Sequence, residues 1–164
     1  MIFKISDEGT ARIVGERLME SGARAMETNP VMQAIVRDIR QITEMNFRMG
    51  GRRGGGSWKK LAESTIRKKG HARILRDTDA LYKSVTEEDA PYQILKWEYG
   101  GFQFGTDRPW AYTHQRGSGD GHVPRRPFLR FLPYDERKWR DMIAGHILKP
   151  FTRTDDFPGP IRGR

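Results

Sequence analysis

Three side chains within nine residues carry the donor atoms of a metal site: His114, Asp120 and His122. Imidazole nitrogen and carboxylate oxygen are donors that zinc and related ions accept. The pattern His-x5-Asp-x-His is not a specific ligand spacing, however. With Gly119 and Gly121 flanking Asp120, the stretch reads equally as a loop with a polar tip. His114, where a short helix meets a hairpin, reads as a buried histidine hydrogen-bonded to backbone. Ser84, Thr113 and Ser118 are available hydroxyls, but no G-x-S-x-G elbow holds any of them. The glycines at 50–56 lack the Gly-Lys-Ser/Thr ending of a phosphate loop, because Ser57 is followed by Trp58. The carboxylates of Glu87-Glu88-Asp89 and Asp155-Asp156 fall in expected loops, which do not fix an acid–base separation. The chain reads as a non-enzyme with no metal or cofactor.

Charge is the second chemical feature. The formal net charge is +9, and residues 37–76 account for it, with twelve basic against three acidic side chains. Such a patch concentrates polyanions. No helix-turn-helix, RNA-recognition or zinc-finger pattern accompanies it, so nucleic-acid contact would be sequence-blind and salt-sensitive. With 164 residues the chain suits one domain. Its 8 Phe, 5 Tyr and 4 Trp argue against a disordered composition although 31% of residues are charged. No apolar run approaches the ~20 residues of a transmembrane helix. MIFKISDEG turns polar too early for a signal peptide, and the absence of cysteine excludes disulfides; an intracellular origin is the simplest reading.

The elements that position these residues follow from periodicity. Ile2–Ile5 suggests a short strand. Asp7 or Thr10 can cap a helix whose Ala11, Val14, Leu18 and Ala25 share one helical face. Asn29-Pro30 starts a second helix reaching Arg48, about 28 Å long, with Val31, Ile35, Ile39 and Ile42 as its stripe. Five glycines between 50 and 56 predict a mobile loop with Arg52 and Arg53 at its tip. Ser57 then caps a third helix from Trp58 to Lys69, its face lined by Trp58, Leu61, Thr65 and Ile66, and Gly70 ends it. Thr78 opens a short helix with Leu81 and Val85 inward, broken by Pro91. Residues 92–106 alternate as a hairpin turning at Gly100-Gly101. Trp110–Arg116 makes one or two helical turns, Pro127-Phe128-Leu129 docks in the core, and Pro133 starts a last helix with Trp139, Met142, Ile143, His146 and Ile147 facing inward. From Phe151 onward the chain reads as a tail that is disordered alone or wraps a neighbour.

The succession of short motifs has a further meaning. Trp58-x-x-Leu61-x-x-x-Thr65 precedes Leu75-x-x-Thr78-Asp79-x-Leu81-x-x-Ser84. Phe104-Gly105-Thr106, Trp110-Ala111-x-x-His114-Gln115-x-Gly117 and Pro124-x-Arg126-Pro127-Phe128-Leu129 follow in order. This order, over residues 57–130, resembles the phage virion morphogenesis family, also called tail completion proteins, of Mu-like and related tailed phages. That family looks like W-x-x-L-x-x-x-T, L-x-x-T-G-x-L-x-x-S, V-G-T, Y-A-x-x-H-Q-x-G and P-x-R-P-F-L. Asp79 stands where it often has Gly, Trp110 where it often has Tyr, and Arg130 in place of a Gly.

The resemblance implies a structural virion protein, a ring component of the neck or tail end that joins heads to tails. It would be assembled in the host cytoplasm with itself and with other neck, connector or tail-tube proteins. A ring around the DNA channel would let Arg52, Arg53, Lys59 and Lys60 touch packaged DNA. Trp110, His114, Gln115, Arg125, Arg126, Phe151 and Phe157 are the expected subunit or partner contacts. The alternative function is non-specific nucleic-acid binding through residues 37–76. The expected fold is α+β: a small antiparallel sheet with a β-hairpin, packed by a long helix and a C-terminal helix. Residues 1–150 are expected to form one domain and 151–164 an extended tail.

Overall fold

The computed structural model describes residues 8–53, 55–98 and 100–152. Its helices are α1 (Glu8–Met26), α2 (Asn29–Arg48), α3 (Glu63–Lys69), α4 (Ala80–Thr86), α5 (Ala111–Arg116) and α6 (Pro133–Leu148), with a 3-10 turn at Lys149–Thr152. Strands β1 (Gln93–Glu98) and β2 (Gly101–Thr106) form an antiparallel hairpin between α4 and α5, the one sheet among the described residues. The fold is α+β, as expected. The expected strand Ile2–Ile5 lies outside the described residues.

The long helix α2 is the spine. Pro30 in its first turn needs no N–H partner there. Val31, Met32, Ile35 and Ile39 pack with Phe102 and Phe104 of β2 and with Trp139, Met142 and Ile143 of α6. Toward its C-terminus Phe47 opens a second cluster with Trp58, Val85, Ala111 and Phe128. Phe47 meets the rings of Trp58 and Tyr82 edge-on, at centroid distances of 5.4 and 5.3 Å. One helix thus joins two apolar cores, and the hairpin reaches both through Phe104.

α6 runs antiparallel along α2. Near its start Lys138 Nζ and Trp139 Nε1 donate to the Asp38 carboxylate at 2.6 and 2.7 Å. Near its end His146 Nε2 lies 2.9 Å from the Glu27 carbonyl, just before α2 begins. α6 is therefore a flank of the spine.

Four local features add to or correct the sequence reading. First, α1 turns its apolar face outward: Leu18 is 59% exposed and Val14 and Ala25 are also exposed, whereas Arg17 and Ser21 are buried. Among the described residues the helix leans mainly on α6 and the 3-10 turn, and periodicity cannot say which face a neighbour covers. Second, the third helix begins at Glu63, not Trp58. The Trp58 N–H donates to the Gly50 carbonyl at 2.8 Å and its ring enters the Phe47 core, which holds residues 56–62 outside helical geometry. Gly70 closes α3 at φ 76° as expected. Third, α4 ends at Thr86, before Pro91, and Asp79 rather than Thr78 precedes it. Fourth, Glu98 pairs with Gly101, so Gly101 belongs to β2 and Gly100, at φ 72°, stays in the connection.

Candidate functional site

The motif residues converge on the segment Pro127–Leu129. Asn46, fully buried on α2, donates through Nδ2 to the carbonyls of Pro127 and Phe128 at 3.0 and 2.9 Å. Trp58 Nε1 donates to the Pro127 carbonyl at 3.3 Å. From the other side Gln115 Oε1 accepts the N–H groups of Phe128 and Leu129, and its Nε2 donates to the Leu129 carbonyl at 2.7 Å. Both faces of an extended segment are thereby satisfied by side chains, which a buried backbone requires in the absence of a sheet partner. Phe128, held this way, is 2% exposed. Arg126 donates twice to the Lys59 carbonyl, at 3.2 and 3.0 Å. Ser84 is buried; its hydroxyl donates to the Leu81 carbonyl at 2.8 Å and lies in hydrogen-bond contact with Thr106 Oγ1 at 2.9 Å. These motifs are interior wiring. Replacing Asn46 by Ala leaves the Phe128 carbonyl without its partner, and should lower stability by about 1–3 kcal/mol; urea denaturation checks this.

Asp79 has φ 58°, a backbone region glycine favours and aspartate tolerates better than most residues. Arg76 binds its carboxylate at 2.8 and 3.0 Å, and Arg73 approaches at 3.4 Å. That position explains why the resembling pattern has Gly there.

The loop after α2 is not a mobile arm with two arginines at its tip. Arg53 is 6% exposed and grips Asp135, itself 2% exposed, through both terminal nitrogens. Its guanidinium also donates to the Tyr134 hydroxyl and lies 5.0 Å from that ring's centroid. The Arg53 charge is therefore committed to Asp135 inside the fold. Arg52 is exposed. Arg40, a further cation of the 37–76 patch, is held by Glu88 at 2.7 Å and by Gln93. Exposed members include Arg37, Arg48, Lys59, Lys60, Arg67 and Lys68.

The remaining site residues divide sharply. Trp110 is 74% exposed, at φ 68°, and Arg125 is exposed too. Gln115 and Arg126 are engaged inside the fold as above. Phe151 is 39% exposed in the 3-10 turn, and Phe157 lies outside the described residues. His114 is half-buried, but its Nδ1 has no hydrogen-bond partner, so its ring does not tie backbone as expected; its carbonyl does, accepting the Arg126 N–H at 2.7 Å.

His114, Lys59, Lys60, Trp110 and Arg126 share one surface groove of about 900 Å3 between α3, α4, α5 and the 118–126 loop. Lys69 and Arg108 add two more cations, and Asp77 is the one carboxylate in its lining. Leu61, Leu75 and Leu81 supply an apolar side. Burial, then Arg126 and Lys69, depress the His114 pKa. The unfolded chain, whose His titrates near its usual ~6.5, then binds more protons between the two values, so stability rises with pH across that window. His114→Gln should flatten that slope in thermal denaturation just below about pH 6.5 and leave it intact elsewhere.

His122 does not join His114 around a metal. Asp120 accepts from the Ser118 hydroxyl and from the His122 N–H at 3.0 Å, which turns the loop back on itself. Among the described residues no group of three or more His, Cys, Asp or Glu could hold a metal ion. Nor is any helix of those residues long and apolar enough to cross a membrane.

Two participants escaped the sequence reading. Asn46 sits on the buried stripe of α2, where a polar residue among Ile42 and Phe47 was the available signal. Asp135 sits in the first turn of α6 after Pro133, and its pairing with Arg53 across 82 residues leaves no local trace.

A model of the phage virion morphogenesis family matches residues 10–148. No curated protein and no solved structure matches the chain. The match covers most of the chain and all the motifs traced above, so this protein belongs to the phage virion morphogenesis family. Its role is structural or morphogenetic, in a phage virion.

Proposed function

We propose that the protein is a ring component of the neck or tail end, required for tail completion and head–tail joining. Its partners are copies of itself and other neck, connector or tail-tube proteins, and it is assembled in the host cytoplasm. Family membership supports the virion role. The observation that carries self-assembly is the outward side of α1, where Val14, Leu18, Met19 and Met26 stand exposed. Several large apolar side chains exposed on one helix support contact with another molecule. Closed rings form when one heterologous contact repeats with a closing angle.

Sedimentation velocity and negative-stain images test this reading. Full-length protein should form closed rings. Leu18→Glu alters an exposed position, so it should give a folded monomer with an unchanged circular dichroism spectrum. A wild-type chain that stays monomeric at every concentration contradicts the ring.

Non-specific nucleic-acid binding is the second reading, favoured by the exposed cations around Arg52, Lys59 and Lys60. It calls for a steep loss of DNA affinity with salt and no sequence preference. Arg52→Glu is the informative substitution. Arg53→Glu would set a carboxylate against Asp135 and report on folding instead.

A further inference from the structure

We propose that the segment Asp155-Asp156-Phe157 of one copy docks into the basic groove of the next copy. This rests on the self-assembling reading above and names the contact that closes it. The groove sets Lys59, Lys60, Lys69 and Arg108 beside the apolar Leu75 and Leu81. At about 900 Å3 it has room for several side chains rather than a lone ion. A DNA backbone could use its cations but has nothing to lay on its leucines. A peptide with adjacent carboxylates and an aromatic ring uses both. The chain contains four runs of adjacent carboxylates, Asp7-Glu8, Glu87-Glu88-Asp89, Asp135-Glu136 and Asp155-Asp156. Glu88 is already bound by Arg40 and Asp135 by Arg53. Asp7-Glu8 is followed by glycine, whereas Asp155-Asp156 is followed directly by Phe157.

Reach excludes the segment's own groove. α6 runs antiparallel to α2, and its His146 meets Glu27, so Thr152 follows at the N-terminal end of α2. The groove begins at Lys59, next to Trp58, which packs on Phe47 at the opposite end. The 20 residues of α2 separate the two ends by about 30 Å. Phe157 is five residues beyond Thr152, and five extended residues span at most ~18 Å. The groove it can fill therefore belongs to a neighbour, giving each copy one segment and one groove, the head-to-tail arrangement that closes into a ring.

The chain has no cysteine, so introduced thiols report unambiguously. Mixed full-length Phe157→Cys and Lys60→Cys variants should give a disulfide-linked heterodimer under mild oxidation. Asp155→Lys with Asp156→Lys should weaken self-association by about tenfold in sedimentation, through like-charge repulsion at the groove. Adding Lys59→Asp and Lys60→Asp should restore it. Rings that persist unchanged in the charge-reversed variant, with no cross-link, overturn the docking and leave the ring standing. Intramolecular cross-linking in a dilute chain carrying both cysteines overturns docking between copies. If Lys59→Asp with Lys60→Asp abolishes binding of a DNA duplex while rings stay intact, the groove is a phosphate site and the proposal fails. A monomeric wild-type chain sinks both readings.

Discussion

Arg53→Ala or Asp135→Ala should lower the unfolding free energy by about 3–5 kcal/mol, because each leaves a buried charge uncompensated. The two groups are 6% and 2% exposed, and the carboxylate accepts from Arg53 Nη1 at 2.7 Å and from the Leu132 N–H at 2.8 Å. Asp135→Ala also removes the cap of α6. Replacing both partners by Met and Leu should recover most of the loss, since neither charge then remains. Burial pushes the Asp135 carboxyl up, but the hydrogen bonds from Arg53 and then Leu132 outweigh it and hold its pKa below the usual value. A depressed carboxylate contributes its stability fully above the unfolded value of ~3.9 and loses it as pH falls through the folded value. Acid unfolding of the wild type should therefore steepen below about pH 4. The Met–Leu pair should lack that component. An Arg53→Ala protein with an unchanged urea midpoint would contradict the buried pair.

Gly51→Ala should be nearly as damaging. Gly51 has φ 80°, which costs an alanine about 1–2 kcal/mol. A methyl there overlaps Cδ1, Nε1 and Cγ of the Trp58 ring. The ring cannot retreat easily, because Phe47 meets it edge-on and its Nε1 bonds to the Pro127 carbonyl. Overpacking adds about 1–3 kcal/mol, for a total near 3–4. Gly50→Ala is the control. It shares the positive φ, at 59°, but meets nothing within 4 Å, and should lose only about 1 kcal/mol. Equal denaturation midpoints for the two variants would mean that Trp58 is not seated on Gly51.

These two sites also show where the sequence was legible. α2, the hairpin, α5 and the burial of Phe128 follow from local periodicity and turn residues, and all four stand in the structure. Arg53 and Trp58 were misplaced for one reason. A charged residue among glycines reads as exposed, and a Trp after Ser reads as the start of a helix, until a partner distant in the chain claims each. Arg53 is claimed by Asp135, Trp58 by Phe47 and Pro127. The glycines at 50 and 51 looked like mobility, whereas Gly51 is bare because an indole ring lies on it. For α1 the pattern located the apolar face but not its direction, and in the isolated chain that face meets solvent. The motif order identified the family, while the side-chain geometry shows what those motifs do: Gln115, Asn46 and Trp58 hold Pro127–Leu129, leaving the groove and the apolar side chains of α1 at the surface.

The most direct measurement is electron microscopy of lysates from a phage whose copy of this gene is inactivated. Full heads and complete-length tails that fail to join, with joining restored by the wild-type protein supplied in trans, are the predicted result. Normal infectious particles in the absence of the protein would contradict the account.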